Sequence, residues 1–202
     1  MKLVKDTDLL VKKKHQVSDE KAEEAIRTII QWVGEDSNRE GLLATPERVA
    51  RVYEEIFSGI NIDPQAILQT TFNEEYSGLV TLERISFFSM CEHHLLPFYG
   101  FVSIGYIPNG KIAGLSKFVR LIDVLSKRPQ LQERLTEQIV NLIDLVLSPE
   151  GVAVIISAEH MCMSLRGVNK VGATIKTVAS RGSLSTQNDR FKEFETIVSK
   201  EK

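Results

Sequence analysis

Cys91-Glu92-His93-His94 and His160-Met161-Cys162 hold both cysteines and three of the four histidines of this 202-residue chain. Cysteine thiolates and imidazole nitrogens are the donors that zinc prefers. Cys91 and His94 are three residues apart, a spacing that lets a turn at a strand end present both to one ion. Cys162, on a later strand, supplies a third donor. Three protein ligands leave one position open, which is the catalytic arrangement; a closed structural site takes four. A fourth ligand here would be His93 or His160, and two reduced core cysteines without metal are the remaining alternative. On a strand His160 and Cys162 point to one face. His160 then lies beside the ion whether or not it binds, where an imidazole suits proton transfer.

A second cluster suits an anion. Gly114-Leu115-Ser116-Lys117-Phe118-Val119-Arg120 falls at a strand-to-helix junction. Ser116 is the expected helix cap, Lys117 lies in the first turn and Arg120 one turn on. Cations in a first turn oppose the helix dipole unless an anion sits there. Arg166 follows Cys162 by four residues and can join this pocket. Gln132 and Glu133 open a long helix, and on the residues alone they read as a solvated face.

The elements that must position these groups follow from periodicity. Ser18 caps a helix whose apolar residues are Ala22, Ala25, Ile26, Ile29, Ile30 and Val33. A second helix starts at Thr45-Pro46 and is expected to bury Val49, Val52, Tyr53, Ile56 and Phe57. Strands are expected over 79–88 and 98–107, with Pro108-Asn109-Gly110 as a turn. Helices over 116–127 and 130–147 follow, then strands over 151–162 and 172–179, then a helix over 188–198. This ββ-αα-ββ order reads as α+β with an antiparallel sheet. Residues 1–17 form a polar tail that includes His15, 18–70 a helical segment and 71–202 the core. A four-stranded sheet leaves open edges that favour assembly with further copies.

Composition excludes other classes. There are 25 Lys+Arg against 27 Asp+Glu, a net charge of −2, which disfavours a nucleic-acid binder. No apolar run is long enough to span a membrane. The first residues lack a secretory pattern, so a cytoplasmic protein with reduced cysteines is expected.

The strings FFSMCEHHLLPFYG, YIPNGKIAGLSKFVRLID, RPQLQERLTEQI and HMCMSLRGVNK, with TPERVARVYEEIFSG before them, resemble GTP cyclohydrolase I. The resemblance runs from about residue 18 to about residue 198. It implies the tunnelling fold, with subunits closing a ring barrel and two pentamers stacking as a homodecamer. It implies opening of the GTP imidazole ring at C8, release of formate and recyclisation to 7,8-dihydroneopterin triphosphate. By motif, Cys91, His94 and Cys162 hold Zn2+, and His93 and His160 handle protons. Glu133 and Gln132 meet the guanine. Ser116, Lys117, Arg120 and Arg166 face the triphosphate, and Arg48 reaches a neighbouring subunit's phosphates. The rival readings are another tunnelling-fold enzyme acting on pterins or deazapurines, and a non-catalytic zinc-stabilised module.

Overall fold

The computed structural model describes residues 16–199. His15 and nearly all of the expected 1–17 tail lie outside them. Helix α1 spans Asp19–Trp32 and α2 spans Thr45–Ile56, with Pro46 in its first turn. Both follow the predicted spacing, but their apolar stripes are not covered within this chain. Trp32 is 82% exposed and Val52 51%, and of α2 only Pro46 is buried. The expected burial of Val52 and Tyr53 is therefore not met by one chain.

A 3-10 turn at Ser58–Asn61 and a one-turn helix α3, Pro64–Ile67, lead into the sheet. Arg128 holds this connection. Its Nη2 donates to the carbonyls of Gly59 (2.8 Å) and Ile62 (3.1 Å), and its Nε to that of Val124 (3.0 Å).

The core sheet contains β2 (Val80–Cys91), β3 (Pro97–Ile107), β5 (Pro129–Gln130), β6 (Gly151–His160) and β7 (Thr174–Gly182), in the order β5-β2-β3-β6-β7. The four long strands are antiparallel, and β5 lies parallel to β2 through Met90↔Pro129 and Cys91↔Gln130. Strands β1 (Thr71–Asn73) and β4 (Lys111–Ala113) form a separate ribbon. The predicted antiparallel sheet is present. The short strands β1, β4 and β5 escaped a reading by periodicity, because two or three residues carry no alternation.

Helices α4 (Leu115–Ser126) and α5 (Gln132–Leu147) cover one face. Phe118, Leu121, Ile122, Leu135, Ile139 and Ile143 pack there with Val102, Ile104, Val152, Val154 and Ile156. The alternate residues Ala153 and Ile155 face the other way, against Phe191 and Phe194 of α7 (Asp189–Ser199). Helix α7 thus takes the opposite face. Gly105 makes room for it, since a Cβ there would come within 2.7 Å of the Phe194 ring.

Among the boundaries that differ from expectation, two bear on the site. Gly114, not Ser116, occupies the N-cap of α4, and Ser116 lies inside the first turn. Strand β6 stops at His160, because residues 161–164 form a single helical turn, α6 (Met161–Ser164).

Candidate metal centre

Strand β2 delivers Cys91 to the end of the sheet. The chain then reverses tightly: Leu95 N–H donates to Cys91 O at 2.9 Å, and Cys91 N–H donates to Leu96 O at 2.9 Å. Leu95 pays for the turn with a left-handed backbone, φ 50°. Glu92 N–H donates to Gln130 O at 3.0 Å, so β5 pins the start of the turn. The result leaves Cys91 buried and His93 and His94 exposed.

Cys162 reaches the same place from α6. The candidate ligand atoms of Cys91, His94 and Cys162 all lie within 4.8 Å of one another, and Cys91 Sγ is 4.0 Å from His94 Nδ1. Both cysteines are free thiols. Burial, and then the adjoining Cys91, push the Cys162 thiol up, while Arg166 pulls it the other way. Two thiols brought together beside an imidazole fit a divalent cation, which stabilises both thiolates. The sequence expected this trio with Cys162 on a strand. The one-turn helix corrects that geometry, so the same-face argument does not place His160.

His160 is placed by other contacts. It ends β6 opposite Phe98, and the two rings stack at 4.6 Å and 7°. Its Nε2 lies 2.8 Å from Gln132 Oε1. Burial pushes the imidazole below its ordinary value, and the charge of Glu133 opposes this. Glu133 is exposed in the first turn of α5.

Gln132 departs from both expectations for it. It is 1% exposed, neither a solvated helix face nor a side chain presented to a ligand. Its Nε2 donates to Ile175 O at 2.9 Å, Thr177 Oγ1 at 3.1 Å and Ile156 O at 3.2 Å. Sequence reasoning also missed Arg134, whose guanidinium grips Glu92, and the stacking ring of Phe98. Gln132 and Thr136 are four apart on α5, a spacing that marks them as neighbours without naming their partners.

The anion cluster does not meet the metal trio within one chain. Ser89 Oγ, two residues before Cys91, donates to Ser126 O at the C-terminal end of α4 at 2.8 Å. Ser116 lies ten residues back along α4, about 15 Å at 1.5 Å per residue. Ser116 and Arg120 are exposed and Lys117 half-buried at that far end. Arg166 therefore stays with the thiols and not with Ser116. Arg48 is exposed on α2.

An antiparallel sheet flanked by helices, with a Cys-His-Cys trio beside a half-buried histidine and an exposed carboxylate, defines an α+β protein with a candidate metal-enzyme site. The family profile described as GTP cyclohydrolase I matches residues 22–199. The GTP cyclohydrolase 1 of Bacillus subtilis (strain 168) is 53% identical over 168 residues, covering 83% of this chain and 88% of the relative. That of Bacillus mycoides (strain KBAB4) is 51% identical over 175 residues, covering 86% and 92%. This chain belongs to the GTP cyclohydrolase I family. A solved structure, the archaeosine synthase QueF-Like in the apo form, aligns at 22% identity and a TM-score of 0.40 over 52% of this chain and 93% of that one. At that level it says nothing about activity.

Proposed function

We propose that this chain opens the imidazole ring of GTP at C8, releases formate and recyclises the product to 7,8-dihydroneopterin triphosphate. The observation that carries the reading is the convergence of Cys91, His94 and Cys162, within a chain of this family. Those three residues would hold Zn2+, which supplies Lewis acidity for hydrolysis when bound.

The chain's own side chains do the rest. Glu133 accepts from N1–H and the 2-amino group of guanine. Adenine offers no such pair and would leave the carboxylate unpaired, which is a basis for selectivity. Half-buried His160, whose imidazole burial pushes below its ordinary value, takes and returns protons near the base, and exposed His93 handles a second transfer. Ser116, Lys117 and Arg120, with Arg166 and Arg48, balance the triphosphate.

Ser116 lies about 15 Å along α4 from the end that meets Ser89 beside the trio, so the working site takes cradle and trio from different copies. A ring-based homo-oligomer, two stacked pentamers, supplies that arrangement. Three features support assembly. Helices α1 and α2 leave a groove of about 950 Å³ between them, lined by Ile26, Ile29, Tyr53 and Phe57. Strand β7 ends the sheet with no strand beyond it among the described residues. Phe88 and Phe101 are 70% and 39% exposed on the sheet. In this reading 18–70 is an assembly arm, 71–202 the catalytic core and the cytoplasm the site of action. Among the described residues no helix is long and apolar enough to cross a membrane.

The test is direct. Zinc-loaded protein mixed with GTP is expected to release formate and a product that fluoresces after oxidation, and ATP is expected to yield neither. Metal-loaded oligomer that leaves GTP intact would overturn the assignment.

A further inference from the structure

We infer that Gln132 is a positioning residue that locks His160 in the tautomer protonated on Nε2, leaving Nδ1 as the nitrogen that exchanges protons. The inference rests on the reading of His160 as a proton carrier. Its structural part stands on hydrogen-bond polarity alone.

The polarity of this small network is set by its carbonyls, and the two amide hydrogens of Gln132 are shared among three acceptors. The carbonyls of Ile156 and Ile175 only accept, so the Gln132 atom facing them at 3.2 and 2.9 Å is the amide nitrogen. Thr136 Oγ1 spends its single proton on the carbonyl of Gln132 at 2.7 Å. The 2.7 Å contact between Thr136 Oγ1 and Thr177 Oγ1 must then be donated by Thr177. The Thr177 oxygen keeps its lone pairs for the Gln132 amide nitrogen at 3.1 Å. Donation therefore runs from Gln132 through Thr177 and Thr136 back to the Gln132 carbonyl.

With the amide nitrogen fixed, Gln132 Oε1 is the atom 2.8 Å from His160 Nε2. A carbonyl oxygen accepts, so Nε2 carries the hydrogen. A neutral ring then has its lone pair on Nδ1. A half-turn of the ring would keep the stack on Phe98 but would put a ring carbon where Nε2 meets Gln132 Oε1, giving up that hydrogen bond. Flipping the amide would aim its oxygen at the carbonyls of Ile156 and Ile175, setting acceptor against acceptor at a buried site. Gln132 thus sets which nitrogen of His160 works, without touching substrate.

The experiment uses the metal-loaded oligomer labelled with ¹⁵N-histidine, read by solid-state NMR. With four histidines in the chain, the His160 signals are assigned by their loss in His160→Gln. Wild type is expected to show His160 protonated at Nε2 and bare at Nδ1. A ring protonated at Nδ1, or an even mixture, would overturn the inference, and this holds whether or not any variant folds or GTP is turned over. Gln132→Leu is expected to give mixed tautomers and to lower kcat about 10- to 100-fold, as loss of an orienting partner does, with KM for GTP unchanged. Thr177→Val is expected to keep the tautomer, since both carbonyls still hold the amide. An unchanged tautomer with raised KM in Gln132→Leu would mean that Gln132 serves the base directly.

Discussion

Arg134 on α5 grips the Glu92 carboxylate with both terminal nitrogens, Nη2 donating to Oε1 at 3.0 Å and Nη1 to Oε2. The pair joins the first turn of α5 to the turn that carries His93 and His94. The guanidinium holds the Glu92 carboxyl below its ordinary value. Both groups are partly exposed, so the pair adds little to global stability. Its effect is on the aim of the metal-ligand turn. Arg134→Met is expected to weaken metal binding about tenfold while the melting temperature stays near wild type. The charge-swapped double variant Glu92→Arg/Arg134→Glu is expected to recover most of that loss. Equal metal affinity in Arg134→Met would show that the turn holds its own shape.

Removing any one of Cys91, His94 or Cys162 as alanine is expected to abolish activity and bound metal together, measured by elemental analysis of purified protein. His93→Ala and His160→Ala are expected to keep the metal and lose about 10²- to 10⁴-fold in kcat, the range for a lost acid–base group. If His160→Ala empties the site while His94→Ala does not, the ligand set is wrong.

Glu133→Ala is expected to lower kcat/KM for GTP about 100-fold, roughly 3 kcal/mol for hydrogen bonds to a charged partner. The preference over ATP should shrink with it. Steady-state kinetics with both nucleotides check this, and undiminished discrimination would move base recognition elsewhere.

Separation of the cradle from the trio along α4 makes a complementation test decisive. Cys91→Ala and Arg48→Ala oligomers, each inactive alone, are dissociated, mixed and reassembled. Some mixed interfaces then hold one intact trio and one intact Arg48, and activity should return. Verified mixed oligomers with no activity would mean that each chain holds a complete site.

Arg128 bridges three carbonyls from two segments that are far apart in sequence. Arg128→Met is expected to destabilise the fold by about 2 kcal/mol, since partly buried carbonyls lose charged donors. Arg128→Lys should recover little, because an ammonium cannot reproduce the planar fork. Urea unfolding of both variants measures it, and full stability in Arg128→Lys would contradict the fork argument.

The amino-acid sequence by itself determined the long elements and the chemistry of the site. Helical spacing marked α1, α2, α4, α5 and α7 to within a few residues, because each apolar stripe repeats over three or more turns. Alternation and β-branched residues marked the four long strands. Cys91, His94 and Cys162 were legible because thiols and imidazoles are scarce in this chain and fall in two short strings. Tertiary structure alone decided what lies between distant segments. The one turn of α6 that redirects Cys162 is too short to leave a period. Phe98 beneath His160 and Arg134 on Glu92 depend on register across the sheet and on the docking of α5. Gln132 reads in sequence as a polar residue on a helix start. Only the approach of β6 and β7 surrounds it with carbonyls of fixed polarity and turns it toward His160. The separation of Ser116 from Cys91 is likewise a property of the path, since the end of α4, not its start, meets Ser89 on the strand that carries Cys91.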